Sequence, residues 1–163
     1  MDFSASLIEI ARIHHCPANA AYYQASVMEM THNMFPPGEA FNKIYMHEAL
    51  QYFDEKDLAH IMERLRPLAV DECPIFFGGV PDMAHIWDYY NTQERKEDYL
   101  RRKAEGREAI GTWWERKTLE AVAHRAGFDC TFIEQPAGLF SAHYRFDTLF
   151  EPSSLPSPAE ANR

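Results

Sequence analysis

Long apolar runs are missing from this 163-residue sequence, and none approaches the roughly 18–20 residues that a membrane-spanning helix needs. Residues 1–11 are neither basic nor apolar enough for a signal peptide, so no membrane partner is expected. Cysteine is scarce: Cys16, Cys73 and Cys130 are odd in number and scattered. That excludes a disulfide framework and suits a reducing, cytoplasmic setting. Basic residues are outnumbered, 16 Lys and Arg against 25 Asp and Glu, for a net charge of −9. Such a surface does not track a phosphate backbone, so no nucleic-acid partner is expected. The one basic cluster, Arg101, Arg102 and Lys103, lies among Glu94, Glu97, Asp98 and Glu105 and reads as a solvated helix face.

Several chemical motifs are absent as well. No nucleophile elbow or phosphate loop occurs. His47-Glu48-Ala49-Leu50-Gln51 has Gln where a zinc protease needs its second His. His14-His15-Cys16 carries three metal-capable side chains in a row. Neighbours on a helix point about 100° apart and do not converge on one ion, so no metal site is expected.

What remains is ordinary globular material, 46% hydrophobic and 25% charged, with enough length for one domain and its core. Ser4 is placed to cap a helix to about His14 carrying Leu7, Ile8 and Ala11. Ala21 to Gln24 reads as a short strand and Phe41 to Met46 as a buried one. Asp54 is placed to cap a helix with Leu58, Ile61, Met62 and Leu65 on one face, ending near Pro67. Pro74 to Gly79 is an apolar run closed by Gly78, Gly79 and Pro81. Residues 82–110 are polar, charged and aromatic, without a strand pattern. Thr112 and Glu115 fit a capping box for a helix bearing Leu119, Val122 and Ala123, with Gly127 at its end. Strands are expected at about Cys130 to Glu134 and Ala142 to Phe150. The Pro-, Ser- and Ala-rich segment 151–163 reads as a disordered tail. Alternating strands and helices argue for an α/β sheet with parallel strands, and the last two strands, joined by a loop alone, must be antiparallel.

That order resembles the class I, Rossmann-like methyltransferases, whose last strand inserts antiparallel beside its neighbour. Met1-Asp2-Phe3-Ser4 with Leu7-Ile8-Glu9-Ile10-Ala11-Arg12 is similar to the end of the family's second strand and the helix behind it. Asn19 to Met30 is similar to its third strand and adenine loop. Phe41-Asn42-Lys43-Ile44, followed by His47-Glu48-Ala49-Leu50-Gln51-Tyr52-Phe53, resembles its fourth strand and the segment after it. Trp113-Trp114, Ala126-Gly127-Phe128 and His143-Tyr144-Arg145-Phe146-Asp147 resemble a subgroup found with sugar and polysaccharide genes. The resemblance covers about residues 1–150, with residues 82–110 as a helical cap insert. The family's first strand and glycine-rich turn would lie upstream of Asp2, so the expectation is a mostly parallel sheet with an antiparallel C-terminal hairpin and the first strand missing. Unpaired strand edges would then offer a route to self-association.

The resemblance implies S-adenosylmethionine as cofactor and a small-molecule acceptor, a sugar hydroxyl or an amine. Asp2 would accept from the ribose hydroxyls, or else serve as a helix-capping acid. Phe3 would flank the adenine, or be an ordinary core aromatic. Ser26 and Val27 stand where the family often has an Asp for the adenine amine, and Ser26 is the weaker acceptor. Tyr45, His47 and Glu48 would lie just beyond the fourth strand, where the family's methyl donor and acceptor meet, with Tyr45 contacting the cofactor. His47 is the general-base candidate, since imidazoles titrate near working pH; the alternative is a packing or surface histidine. Glu48, Tyr89, Tyr90 and His143 would contact the acceptor, aromatic faces with polar edges suiting such ligands. Glu48 could equally be a first-turn helix acid, and the 82–110 stretch could simply cover the sheet. Trp113 and Trp114 read as core. Arg145 and Asp147 share a strand face and could pair. A rival role is a non-catalytic module of the same fold that binds a partner; the absent motifs disfavour a hydrolase or dehydrogenase.

Overall fold

A computed structural model describes residues 1–15 and 17–153. Cys16 and most of the expected tail, residues 154–163, lie outside the described residues. Four strands form one sheet: β1 (Ile44–His47), β2 (Ile75–Pro81), β3 (Phe128–Glu134) and β4 (Arg145–Pro152), in the order β1-β2-β4-β3. β1 and β2 are parallel, while β4 runs antiparallel to both β2 and β3. The expected C-terminal hairpin is therefore present, and β4 continues to Pro152, into the segment read as tail. His143 and Tyr144 belong to a turn before β4 rather than to the strand itself.

One face of the sheet is covered by α2 (Glu55–Leu65) and α5 (Arg116–Arg125). The sequence builds α2 locally. The Asp54 carboxylate accepts from the Lys56 and Asp57 N–H groups, and Asp57 reaches back to the Asp54 N–H. That is a capping box with Asp in place of Glu. Leu58, Ile61, Met62 and Leu65 fall on one side and pack with Leu119, Val122 and Ala123 of α5 against Ile75, Phe77, Val80, Phe146 and Phe150. Each such side chain contributes about 1.5–3 kcal/mol when fully buried. Residues 82–110 are helical: a 3-10 turn (Met83–His85), α3 (Ile86–Tyr89) and α4 (Gln93–Ala104). They enclose a second core of Ile86, Tyr90, Tyr99, Trp113 and Tyr144.

Several local expectations are corrected. Ala21 to Gln24 forms a single parallel bridge, Asp2 to Gln24, rather than a strand. The segment 41–46 is not a buried strand: Phe41 bridges Ala69, and only Ile44–His47 is strand, its residues alternately half-buried and exposed. Alternation decides this, because β1 covers the core with Ile44 and Met46 alone. Thr112 caps nothing. Its N–H donates to the Gln51 carbonyl, Trp114 extends alongside Asp82, and α5 begins at Arg116 with Glu115 as an N-cap that makes no side-chain bond. Gly78 and Gly79 do not end a strand either. They lie inside β2, where the register shifts between Phe77 and Val80, and Gly79 has φ +70. A bulge of this kind bends a strand and re-aims its neighbours.

α1 (Ala5–His14) is capped by Ser4, whose hydroxyl accepts from the Leu7 N–H at 3.4 Å. It buries Ile8 but leaves Leu7, Ile10 and Ile13 exposed. Among the described residues, no helix is long and apolar enough to cross a membrane.

Candidate functional site

Because β1 and β2 are parallel, their carboxyl ends emerge side by side, the position where open α/β sheets bind ligands. His47 ends β1, and Glu48 follows with φ +49, a left-handed conformation unusual for a non-glycine residue. Its N–H donates to the Gly78 carbonyl at 2.8 Å. The glycines allow this approach. A Cβ on Gly78 would stand 2.6 Å from His47 Nδ1, and one on Gly79 would stand 2.8 Å from Glu48 Cγ.

The floor of this corner is polar and bonded. Arg145, 6% exposed, donates from Nη1 to Gln51 Oε1 at 2.9 Å and to the Gly79 carbonyl, with Glu48 Oε1 4.0 Å away. Asp147 Oδ1 accepts from the Gly79 N–H and from Gln135 Nε2, both at 2.8 Å. Ser141 in turn donates to Gln135 Oε1 at 2.9 Å. Arg145 and Asp147 thus share a face as expected, yet they meet through Gly79 and make no ion pair with each other among the described residues.

Tyr45 projects from the face opposite the core. Its ring stacks on His47 at 5.9 Å and on Phe76 at 5.7 Å, nearly parallel to both. The cap side approaches through Tyr144. The Arg145 guanidinium lies 5.2 Å from the Tyr144 ring, which contacts Tyr89 at 4.6 Å and His143 at 4.8 Å. Tyr90 and Tyr89 are in edge contact, and Arg95 covers the Tyr89 ring at 4.7 Å. Burial, then the Glu108 charge, pushes the Tyr90 phenol up from its ordinary 10.0 to about 12. Glu108 is itself raised by burial, partly offset by the Trp113 indole N–H and by Lys103.

His47, Glu48, Tyr45, Tyr89 and His143 are therefore joined by a chain of contacts running through Arg145 and Tyr144. Asp2, Phe3, Ser26 and Val27 are not in that chain. The Asp2 carboxylate accepts from the N–H of Ser4, the N-cap residue of α1, at 2.8 Å, and bonds no N–H of the helix itself among the described residues. Phe3 is 77% exposed, which removes the core-aromatic option. The Ser26 hydroxyl accepts from the Met28 N–H at 3.2 Å, and Val27 packs against the main core. Trp113 and Trp114 are buried, as expected. Gln51, Gly79, Tyr144, Arg145 and Asp147 went unassigned to the site by sequence reasoning. The Gly78-Gly79 pair inside an apolar run was the one available signal.

Among the described residues, no group of three His, Cys, Asp or Glu side chains stands close enough to hold a metal ion. His14 and His15 stand 6.5 Å apart, ring to ring. A cleft of about 420 Å³ at Asp54, Glu55, Lys56, Ala59 and Arg125 lies at the start of α2 and holds none of the candidates.

No family model matches this sequence, and no curated protein matches it. Solved structures do. A protein from Nostoc punctiforme assigned as an O-methyltransferase superposes with a TM-score of 0.63 at 15% identity, covering 92% of this chain and 43% of that one. The fold is that of class I S-adenosylmethionine-dependent methyltransferases. LepI in complex with S-adenosylmethionine gives 0.61 at 13% identity, over 93% of this chain and 35% of LepI. Magnesium protoporphyrin IX methyltransferase from Synechocystis, with bound S-adenosylhomocysteine, gives 0.54 at 8% identity, over 91% and 57%. The chain thus spans about a third to three-fifths of the length of these methyltransferase-fold neighbours. One neighbour of similar score is described as a pericyclic reaction enzyme, so the fold carries more than one chemistry.

Proposed function

We propose that this chain serves S-adenosylmethionine-dependent methyl transfer to a small-molecule acceptor, a sugar hydroxyl or an amine. The observation that carries the reading is the corner at the carboxyl end of β1, where Gly78 and Gly79 let His47 and Glu48 close against β2. The sulfonium of the cofactor activates the methyl group, so the protein's tasks are placement, exclusion of water and, for a hydroxyl acceptor, removal of a proton. His47 is the proposed base. Glu48 accepts a hydrogen bond from the acceptor, and Tyr89, Tyr90 and His143 form its aromatic side. Tyr45, Asp2, Phe3, Ser26 and Val27 are the proposed cofactor contacts, Asp2 toward the ribose. A glycine-rich turn, as the resemblance implies, would be needed to cradle the methionine end.

Calorimetry with S-adenosylhomocysteine tests this. Residues 1–163 alone should bind weakly. A strand and glycine-rich turn fused ahead of Met1 should tighten binding, and Asp2→Ala should then loosen it again. Micromolar binding by residues 1–163 alone, or no gain on fusion, contradicts the proposal.

A second reading, a partner-binding module, is favoured by an uncovered row across the sheet. Tyr45, Phe76, Leu149 and Thr131 stand side by side in register on the face away from the core, and Tyr45 is 66% exposed. Among the described strands, β1 has a ladder partner on one edge only, which is the route for the expected self-association. Light scattering over a concentration series tests this self-association: a growing mass supports it, and a constant monomer mass counts against it.

A further inference from the structure

We infer that Arg145 is the positioning residue of the His47–Glu48 corner, holding segment 47–51 against the bulge in β2; the inference rests on the proposed acceptor-side roles of His47 and Glu48. Three observations converge on it. First, a single atom, Nη1, joins the two parts: it donates to Gln51 Oε1 on the segment and to the Gly79 carbonyl on the bulge. Second, the point where a Cβ on Gly79 would stand is surrounded by Glu48 Cγ at 2.8 Å, His47 Cε1 at 3.4 Å and Arg145 Nη1 at 3.5 Å. The three side chains therefore converge on a space kept open by a glycine at φ +70. Third, the guanidinium is not placed for its own satisfaction. It is buried, its Nε has no hydrogen-bond partner among the described residues, and its nearest carboxylate, Glu48, is 4.0 Å away. A buried cation with an unmet donor is unfavourable. It persists where the surrounding structure over-determines it, as does the left-handed backbone of Glu48 beside it.

The physical account is direct. Glu48 precedes and Gln51 belongs to a 3-10 turn (Leu50–Tyr52), which is tied to its surroundings by the Glu48 N–H bond to the Gly78 carbonyl, the Thr112 N–H bond to the Gln51 carbonyl and the Trp114 indole N–H bond to the Leu50 carbonyl. Arg145 adds a side-chain tie from β4, the strand on the other side of β2. Without it the turn keeps its backbone bonds but loses the side-chain tie between Gln51 and the Gly79 carbonyl, which leaves the Glu48 and His47 side chains less firmly set against the bulge. The fold should survive that loss, since the main core of Phe77, Val80, Phe146 and Phe150 lies on the other face.

The test is solution NMR on residues 1–163 with Arg145→Gln, Arg145→Lys and Gln51→Ala. In Arg145→Gln, the Glu48 amide should exchange about tenfold faster relative to the Phe77 amide, a local opening rather than a global one. The His47 Cε1–H resonance should move, and Arg145→Lys, which keeps the cation, should return it part of the way. Gln51→Ala, at a half-exposed residue, should move the same resonance and keeps the test usable if Arg145→Gln does not fold. Equal acceleration of the Glu48 and Phe77 amides with an unmoved His47 resonance overturns the inference, as does an unmoved resonance in Gln51→Ala. These readouts need no cofactor, so a failure of S-adenosylhomocysteine to bind strikes the proposed function and leaves this result standing.

Discussion

Gly111 is where the cap meets the segment behind the corner, and replacing it by Ala should be unusually damaging. Its φ is +93, and an added Cβ would stand 2.3 Å from the Gln51 carbonyl oxygen. The neighbouring Thr112 N–H donates to that same oxygen at 2.8 Å. Gly106 is the natural control, because its φ is +66 but a Cβ there meets nothing within 4 Å. Gly106→Ala should lose only the left-handed backbone term, about 1–2 kcal/mol. Gly111→Ala should lose that term and more. Backbone must move to relieve the contact, at about 1–3 kcal/mol, and the Thr112 bond to Gln51 is weakened, at about 1 kcal/mol. The difference between the variants should thus be about 3 kcal/mol. For a domain of this size that is a gap of about 6–12 °C in Tm. Thermal unfolding followed by circular dichroism, with urea midpoints as a check, measures it. Equal Tm values for the two variants refute the close approach and, with it, the placement of Gln51 beneath the corner.

Three further outcomes follow from the same geometry. Because the Tyr90 phenol is raised to about 12, the unfolded chain ionises above pH 10.0 while the folded chain keeps its proton. Stability should therefore fall between those values, and Tyr90→Phe should flatten that fall in urea titrations made on either side of pH 10.0. Arg116→Met should cost about 3–5 kcal/mol, since Asp82, 2% exposed and bonded by Arg116 Nη2 at 2.8 Å, would be left as an uncompensated buried charge; a loss below about 1 kcal/mol would contradict the pairing. Asp54→Ala should lower stability by about 1 kcal/mol through the α2 cap, with no change at the His47 resonance.

Much of the fold was legible because it rests on local physics. Asp54 before α2, the Leu58–Leu65 stripe on it and Gly127 past the end of α5 are signals that each lie within one helix and its caps. The antiparallel hairpin was legible because a short loop between strands permits little else. The misreadings share a different cause. Thr112 and Glu115 have the spacing of a capping box, but Thr112 is drawn to Gln51, more than sixty residues earlier, and tertiary contact overrides the local preference. Segment 41–46 is apolar enough for a buried strand, yet it lies at the sheet edge with one face covered. The site was half legible for the same reason. His47 and Glu48 stand at a strand end that can be read along the chain. Arg145, Asp147 and Gly79 are brought to them by pairing of β2 with β4, and nothing local marks a strand arginine as the floor of a corner. Asp2 and Ser26 show the converse. Their side chains satisfy nearby N–H groups, so residue type alone misrepresents how free they are.

The central claim is that His47 acts on the acceptor. It is tested most directly by methyl transfer from S-adenosylmethionine in a chain carrying the fused glycine-rich segment, comparing His47→Ala with the parent. Turnover on a hydroxyl acceptor should fall about 10²–10⁴-fold, the range for losing a positioned base. S-adenosylhomocysteine affinity should stay unchanged, and a neutral amine acceptor should lose less. Parent-level turnover in His47→Ala, or a loss that tracks weaker cofactor binding, would contradict the account.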